Sequence, residues 1–330
     1  MYAWLMPEIK GDLAKDCKTV VVIPAFKVTK HIDKVVRSVI SEVSKVIVID
    51  DACPEGSGKK LLNQLDNNQV EVIFHDENRG VGGAVKTGYK RALELEADII
   101  IKLDGDGQMD PANILTLVEA IREEKVNYAK GNRFYEISSL EQMPRVRIAG
   151  NLILTLLTKL SSGYWRIFDP ANGFTAIDGR TLKKLPLDKI DNRYFFESDM
   201  LFRLRLANAV VADVPMKAKY GDEISNVSLK KVFFEFPVKY ARNFFKRVFY
   251  LYYLRDFNLA SIQLPIGVIL FFTSIFRGLQ AWIHSNATGI PTSAGTVVFC
   301  AILFLSGLQL ILSFLNFDIE NYPKKPIKKG

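Results

Sequence analysis

The sequence predicts an α/β domain built on a mostly parallel sheet, followed by interfacial helices and a two-helix transmembrane hairpin. Three observations predict it. Short β-branched runs alternate with helical patterns through the first two-thirds of the chain. A stretch that is both aromatic and basic comes next, and two apolar segments, each roughly 20 residues as a spanning helix requires, then follow. The expected divisions are an N-terminal extension over 1–17, the α/β domain over 18–225, juxtamembrane interfacial helices over 226–258, two transmembrane helices over 259–317 and a basic cytoplasmic tail over 318–330.

The elements follow in order. TVVVIPAF, Thr19 to Phe26, is a β-branched run that Pro24 is expected to stop. Ile32, Val35, Val36 and Val39 then share one helical face. VIVIDD leads into a Gly-rich turn, a polar helix around Leu61 and Leu65, and the strand VEVIF over Val70 to Phe74. A helix from about Gly82 to Leu95 precedes DIIIKLD. Near-continuous apolar strands separated by helices mean a parallel sheet covered on both faces. Ligands of such sheets bind beyond the strand C-termini. Asp50 and Asp51 close one strand there, and Asp104 and Asp106 close another.

The segment Val232 to Phe257 reads as an interfacial helix. Tyr240, Phe244, Val248 and Leu251 fall on one face, with Lys239, Arg242 and Lys246 on another. Leu259 to Trp282 and Thr296 to Phe317 are the two spans, the first interrupted by Arg277, which must snorkel, pair or face a polar cavity. The loop between them carries no Lys or Arg. Lys230, Lys231, Lys239, Arg242, Lys246, Arg247 and Arg255 precede the pair, and Lys324, Lys325, Lys328 and Lys329 follow it. That asymmetry places both ends of the hairpin, and the α/β domain, on the cytoplasmic side.

The net charge of +8 points toward an anionic membrane face rather than nucleic acid, because the basic residues flank the apolar segments and no nucleic-acid-binding motif competes. Cys17, Cys53 and Cys300 form no metal spacing and are expected to be reduced thiols. The N-terminus lacks the pattern of a secretory leader.

IKLDGDGQMDP, residues 101–111, carries the chemistry. Asp104, Asp106 and Gln108 alternate after a strand, so their oxygens can converge on a hard cation, Mg²⁺ or Mn²⁺, shared with substrate phosphates. A turn with a helix N-cap is the structural alternative, and Asp110-Pro111 has that form. Capping does not account for Asp104 and Asp106 as well.

Together, IPAF, VIVIDDACPEGSG, ENRGVGGAVKTGY, LDGDGQMDP, GNRF, DPANGFTAI, YFFESDMLF and VPMKAKYGDEIS, then two membrane helices, resemble the family-2 glycosyltransferases of the GT-A (nucleotide-diphospho-sugar transferase) fold. The wider pattern is similar to the polyprenyl-phosphate branch that includes dolichol-phosphate mannose synthase, over roughly residues 18–317. The resemblance implies a nucleotide-diphosphate sugar donor, a polyprenyl phosphate acceptor and contact with membrane lipid, and is compatible with a homo-oligomer. It implies that Asp104, Asp106 and Gln108 hold the metal and donor diphosphate. Pro24, Phe26, Asp50 and Asp51 would line the nucleotide site. Arg133 of GNRF matches a position associated with a phosphate of donor or acceptor, a role that suits a bidentate donor. Where the family often reads Pro-x-Tyr-Asn-Glu, this chain has Pro24-Ala-Phe-Lys-Val28, without the acidic residue.

Arg79 and Lys86 lie where they can reach phosphate, with an exposed helix face the other reading of Lys86. Arg145, Arg147, Lys159 and Arg166 are weaker candidates for guiding a lipid phosphate. In YFFESDMLF, Glu197 and Asp199 stand where relatives that attack with a hydroxyl carry a base. Asp199 is the candidate for base or acceptor orientation, and a helix cap is the structural reading.

Three other functions fit less well. A dinucleotide fingerprint at Gly80-Val-Gly-Gly83 lacks its third glycine, replaced by Val85. A processive polysaccharide synthase would need more membrane helices and a Gln-x-x-Arg-Trp motif. An inactive scaffold would not need Asp104, Asp106 and Gln108.

Overall fold

The computed structural model describes residues 17–123, 126–135, 145–216 and 229–327, the side chains of 145–147 and 229–234 excepted. Most of the N-terminal extension, residues 217–225 of the last motif, the side chains of Arg145 and Arg147, and Lys328 and Lys329 lie outside that description. The chain forms two compact units, one of residues 1–244 with 323–330 and one of residues 245–322.

The first unit is a seven-stranded sheet ordered β3-β2-β1-β4-β6-β5-β7. Its strands are β1 (Thr19–Ala25), β2 (Lys45–Asp50), β3 (Val70–Phe74), β4 (Ile99–Lys102), β5 (Tyr128–Asn132), β6 (Thr175–Asp178) and β7 (Val211–Pro215). Six run parallel to one another; β6 is antiparallel to both neighbours, β4 and β5. The sheet is therefore mostly parallel, as expected.

Period-two alternation splits the apolar residues between two faces. Val21, Ile23, Val46, Val48, Ile99 and Ile101 pack with α1 (Ile32–Val39), α2 (Ser57–Gln64) and α4 (Asn113–Arg122). Val20, Val22, Ile47, Ile49 and Ile100 pack with α3 (Val81–Glu94) and α7 (Phe196–Leu206) on the other face. Two further helices, α5 (Arg145–Ser162) and α6 (Gly179–Lys183), lie on either side of β6 in sequence.

Pro24 does not stop β1. The ladder with β2 continues through Pro24 and Ala25, while pairing with β4 ends at Val22 opposite Lys102. Ala25 accepts from Asp51 on the β2 side and Val22 accepts from Leu103 on the β4 side. Alternation therefore aims position 24 at the edge where β4 has already ended, and the N–H that proline lacks leaves no partner unpaired.

The glycines that suggested a dinucleotide site serve close packing instead. A methyl at Gly80 would come within 2.7 Å of the Asn192 carbonyl, and one at Gly82 would overlap the Asp191 carbonyl. The Gly83 amide at the start of α3 donates to the Asn192 carbonyl at 2.9 Å, so a loop of the chain itself covers that helix end.

The helix α8 (Leu229–Phe249) crosses the boundary between the units and contains Pro237. Tyr240, Val248 and Leu251 of the expected apolar face are buried, and a second apolar set, Val238, Phe245 and Phe249, is exposed. Residues Tyr250–Arg255 widen into a π-helix. Arg247, read from sequence as one of the flanking surface cations, is fully buried. Its Nη1 and Nη2 donate to the two oxygens of Asp318 at 2.5 and 3.0 Å, and the Tyr252 hydroxyl donates to Asp318 at 2.6 Å. A buried charge persists only when paired in this way. Arg247 therefore adds nothing to the charge offered to lipid.

Helices α9 (Leu259–Thr288) and α10 (Ala294–Glu320) are both long and apolar enough to cross a bilayer, and both extend beyond the spans read from sequence. They pack through small residues, as helices do where lipid removes the hydrophobic drive between them. A methyl at Gly307 would come within 2.6 Å of the Phe271 amide nitrogen. Gln263 Nε2 donates to Ser313 Oγ at 3.0 Å across the pair. At about 1.5 Å rise per residue, Arg277 stands about 27 Å along α9, near the far side of a hydrocarbon layer about 30 Å thick. It is exposed and donates to Gln280 Oε1 at 3.3 Å.

Candidate active site

The end of β4 dictates the site's first half. Ile99, Ile100 and Ile101 are locked in the sheet, Leu103 is buried beneath it, and the chain then turns through Gly105 and Gly107. Gly107 has φ of 77°, a conformation that suits glycine. The Gln108 amide donates to Asp106 Oδ1 at 3.0 Å, and the Ala112 amide donates to Asp110 Oδ1 at 3.2 Å. These turns aim Asp104, Asp106, Gln108 and Asp110 into one pocket open to solvent, with about 540 Å³ of empty space. Met109, Arg133, Ala171, Asn172, Gly173 and Met216 complete the lining. The expected triad of Asp104, Asp106 and Gln108 is thus brought together, and Arg133 joins it.

The second half comes from two motifs 36 residues apart in sequence. Arg133 Nε and Nη2 donate to the two oxygens of Asp169 at 2.8 and 2.9 Å, a bidentate fork. Asp169 is buried at a positive φ of 46°, and its carbonyl accepts from the Asn172 amide. Lys130 is buried below this loop and donates to the Asn172 carbonyl. Burial pulls the Lys130 ammonium down to about 8, against the pull of Asp169, Glu197 and Asp213. Burial likewise raises Asp213 to about 7, although the Phe168 amide and Lys130 oppose the rise. Asp213 Oδ2 accepts from the Phe168 amide and from Asn132 Nδ2.

Sequence reasoning missed Lys102, the residue before Leu103 and Asp104. It is 1% exposed, and its Nζ lies 2.8 Å from Asp104 Oδ1 and 3.1 Å from Glu197 Oε1. Burial works against the ammonium, but the two carboxylates outweigh it and hold Lys102 above its ordinary range. A lysine inside an apolar strand run was the available signal, since burial of that charge demands a partner.

Glu197 and Asp199 are two apart on α7 and so point in different directions. Glu197 reaches Lys102. Asp199, the candidate read from sequence, is buried elsewhere: it accepts from the Asp191 amide and from Asn243 Nδ2, both at 3.0 Å, and Arg203 lies 3.8 Å away. The carboxylate in contact with the site's charged residues is therefore Glu197.

The remaining expected residues stand along the same C-terminal edge of the sheet but do not line the pocket. Pro24 is the penultimate residue of β1 and Phe26 follows the strand, exposed. Both Asp50 oxygens accept backbone amides, from Cys53 and Gly58 at 2.7 Å. Asp51 is 2% exposed and accepts from His75 Nδ1, the Arg79 amide and the Gly80 amide. Arg79 is exposed, and the Lys86 ammonium donates to the Ile190 carbonyl at 2.8 Å. Burial lowers the Lys86 ammonium. Asp51 thus ties β2 to the loop that starts α3. Asp51→Ala is expected to cost about 3–5 kcal/mol, because it strands three buried or half-buried donors. Denaturant unfolding checks this, and a loss under 1 kcal/mol would refute it.

No three His, Cys, Asp or Glu residues among those described converge closely enough to hold a metal unaided. The lining is nonetheless rich in carboxylate and amide oxygen and open to solvent, which suits Mg²⁺ or Mn²⁺ held by one or two carboxylates, water and substrate phosphates.

The sequence profile described as "Glycosyl transferase family 2" matches residues 20–185. The UDP-N-acetylglucosamine–dolichyl-phosphate N-acetylglucosaminyltransferase of Methanococcus voltae is 30% identical over 61% of this chain and 85% of its own length. The polyprenol monophosphomannose synthase of Mycolicibacterium smegmatis is 25% identical over 60% of this chain and 76% of its own. Among solved structures, glucosyl-3-phosphoglycerate synthase from Mycobacterium tuberculosis bound to UDP superposes with a TM-score of 0.57 at 18% identity, covering 74% of this chain and 86% of that one. The same enzyme with Mn²⁺, UDP and glucosyl-3-phosphoglycerate gives 0.54 at 17% identity over 75% and 85%. These likenesses establish a GT-A-like fold.

Proposed function

This chain belongs to glycosyl transferase family 2, and we propose that it moves one sugar from a nucleotide-diphosphate sugar to a polyprenyl phosphate at the cytoplasmic leaflet, with inversion and with the help of Mg²⁺ or Mn²⁺. The observation that carries the reading is the meeting of Asp104, Asp106, Gln108 and Arg133 in one open pocket, in a chain that also has two helices able to span a bilayer. The names of the Methanococcus and Mycolicibacterium relatives support the acceptor, and the Mn²⁺ and UDP in the structural neighbour support the cation and donor class.

The residues would divide the work as follows. Asp106 and Gln108, with the oxygen of Asp104 not taken by Lys102, would hold the cation and orient the donor diphosphate. The bound cation would offset charge on the departing nucleoside diphosphate. Arg133, oriented by Asp169, would bind a phosphate oxygen. A lipid monophosphate is already largely anionic at neutral pH, since the second pKa of a monoester is about 6, so attack on the anomeric carbon needs no strong base. Accordingly Asp199 can be buried and fully hydrogen-bonded without cost to the reaction.

Topology has support from the chain's own path. It leaves the first unit after residue 244 and rejoins it at 323, where the Ile327 amide donates to Asn127 Oδ1 at 3.0 Å. Both ends of the hairpin then belong to the compartment of the catalytic domain. The test of function is a transfer assay with polyprenyl phosphate and polyprenol in parallel. Product from the phosphate alone is expected, at about a hundredfold or more over polyprenol, the scale of the missing general base. Equal product from both would overturn the acceptor assignment.

A further inference from the structure

Lys102 is the one charged residue of β4, and the strand buries it as fully as its three isoleucines. Its position is fixed from both sides. Gly173 lies against it so closely that a methyl there would overlap both Lys102 Nζ and Asp104 Oδ2. On the other side Glu197, only 13% exposed, reaches the same ammonium from α7. One nitrogen therefore sits between a carboxylate that lines the pocket and a carboxylate just behind it. A positive charge next to a cation site weakens cation binding, and a carboxylate that offsets it restores the affinity.

We propose that Lys102 is a positioning residue that sets the pocket's affinity for its divalent cation, by holding Asp104 Oδ1 and by a charge that Glu197 tunes from behind. The inference rests on the metal-dependent reading of the pocket given above. Lys102 holds one Asp104 oxygen away from the cation and leaves Oδ2 toward Gly173. The pair of carboxylates carries less net charge than it would unpaired, so the empty pocket binds a bare cation weakly. A diphosphate then supplies the charge that completes the site.

The account makes two substitutions act in opposite directions, which a purely structural ion pair would not. The experiment titrates Mn²⁺ into the full-length protein in detergent, without nucleotide, and reads free Mn²⁺ by electron paramagnetic resonance. Lys102→Met is expected to tighten Mn²⁺ by about tenfold or more, the factor a unit charge a few ångströms away produces even under water-like screening. Glu197→Gln is expected to weaken it by a similar factor, because the ammonium loses half its compensation. The double variant should return near the wild-type affinity. Circular dichroism establishes that each variant is folded.

Unchanged or weaker binding in folded Lys102→Met would overturn the proposal, and so would unchanged binding in Glu197→Gln. Should Lys102→Met fail to fold, Glu197→Gln decides alone: weakening supports the proposal and no change refutes it. Asp106→Ala separates this inference from its premise. If Asp106→Ala abolishes Mn²⁺ binding while the other two variants leave it unmoved, only the role of Lys102 fails. If Asp106→Ala binds Mn²⁺ as the wild type does, the metal reading fails and the inference with it.

Discussion

Asp106→Ala is expected to reduce sugar transfer on the order of a thousandfold or more while leaving the protein folded. The side chain sits after the turn at Gly105, and its Oδ1 accepts a local amide, that of Gln108. Losing that part-buried hydrogen bond costs the fold about 1 kcal/mol. The cost to the reaction is larger. A cation that offsets charge on a departing diphosphate is worth several kcal/mol of transition-state stabilisation, and each 1.4 kcal/mol is about tenfold in rate. Turnover measured with excess Mn²⁺ or Mg²⁺, beside a thermal unfolding curve, checks both halves. Full activity in EDTA, or a variant that retains most of its turnover, would defeat the metal assignment.

The second large effect concerns the membrane unit. A chain ended at Phe244 should still bind donor but transfer to membrane-embedded polyprenyl phosphate at least about a hundredfold more slowly, since it loses the effective concentration that anchoring provides. The cut is placed before Arg247 because removing Asp318 would otherwise leave that buried guanidinium uncompensated. The truncated chain also lacks Ile327, which packs against the apolar cluster of this sheet face, so a stability loss of about 1–2 kcal/mol is expected. Undiminished transfer would show that anchoring is not what the C-terminal part contributes. The hairpin itself is checked in the full-length chain: cysteines placed at Ser285 and Lys325 should label from opposite sides of sealed vesicles. Labelling of both from one side would refute it.

Where sequence reading and structure part company, the reason lies in which interactions are local. The strand runs, the turn after β4 and the two apolar helices follow from periodicity and composition, which act over a few residues. The same holds for the meeting of Asp104, Asp106 and Gln108, because a strand end and two glycines suffice to aim them. Pro24 misled because its effect depends on which neighbour ends first, a property of the assembled sheet. Arg247 looked like surface charge because its partner, Asp318, is 71 residues away.

The sequence by itself therefore determined a mostly parallel α/β sheet with an acidic turn after its fourth strand, a basic and aromatic connector, and two helices long and apolar enough to span a bilayer. Each is written in short-range hydrophobic spacing. Only the tertiary structure decided which carboxylates are free to do chemistry. Asp50, Asp51, Asp169 and Asp199 are consumed by amides, His75, Arg133 and Asn243 from distant segments, whereas Asp104 and Glu197 share one buried lysine. A carboxylate looks the same in sequence whether it caps a loop or faces a pocket. The distinction is made by long-range pairing, which a buried charge requires and a local pattern does not record.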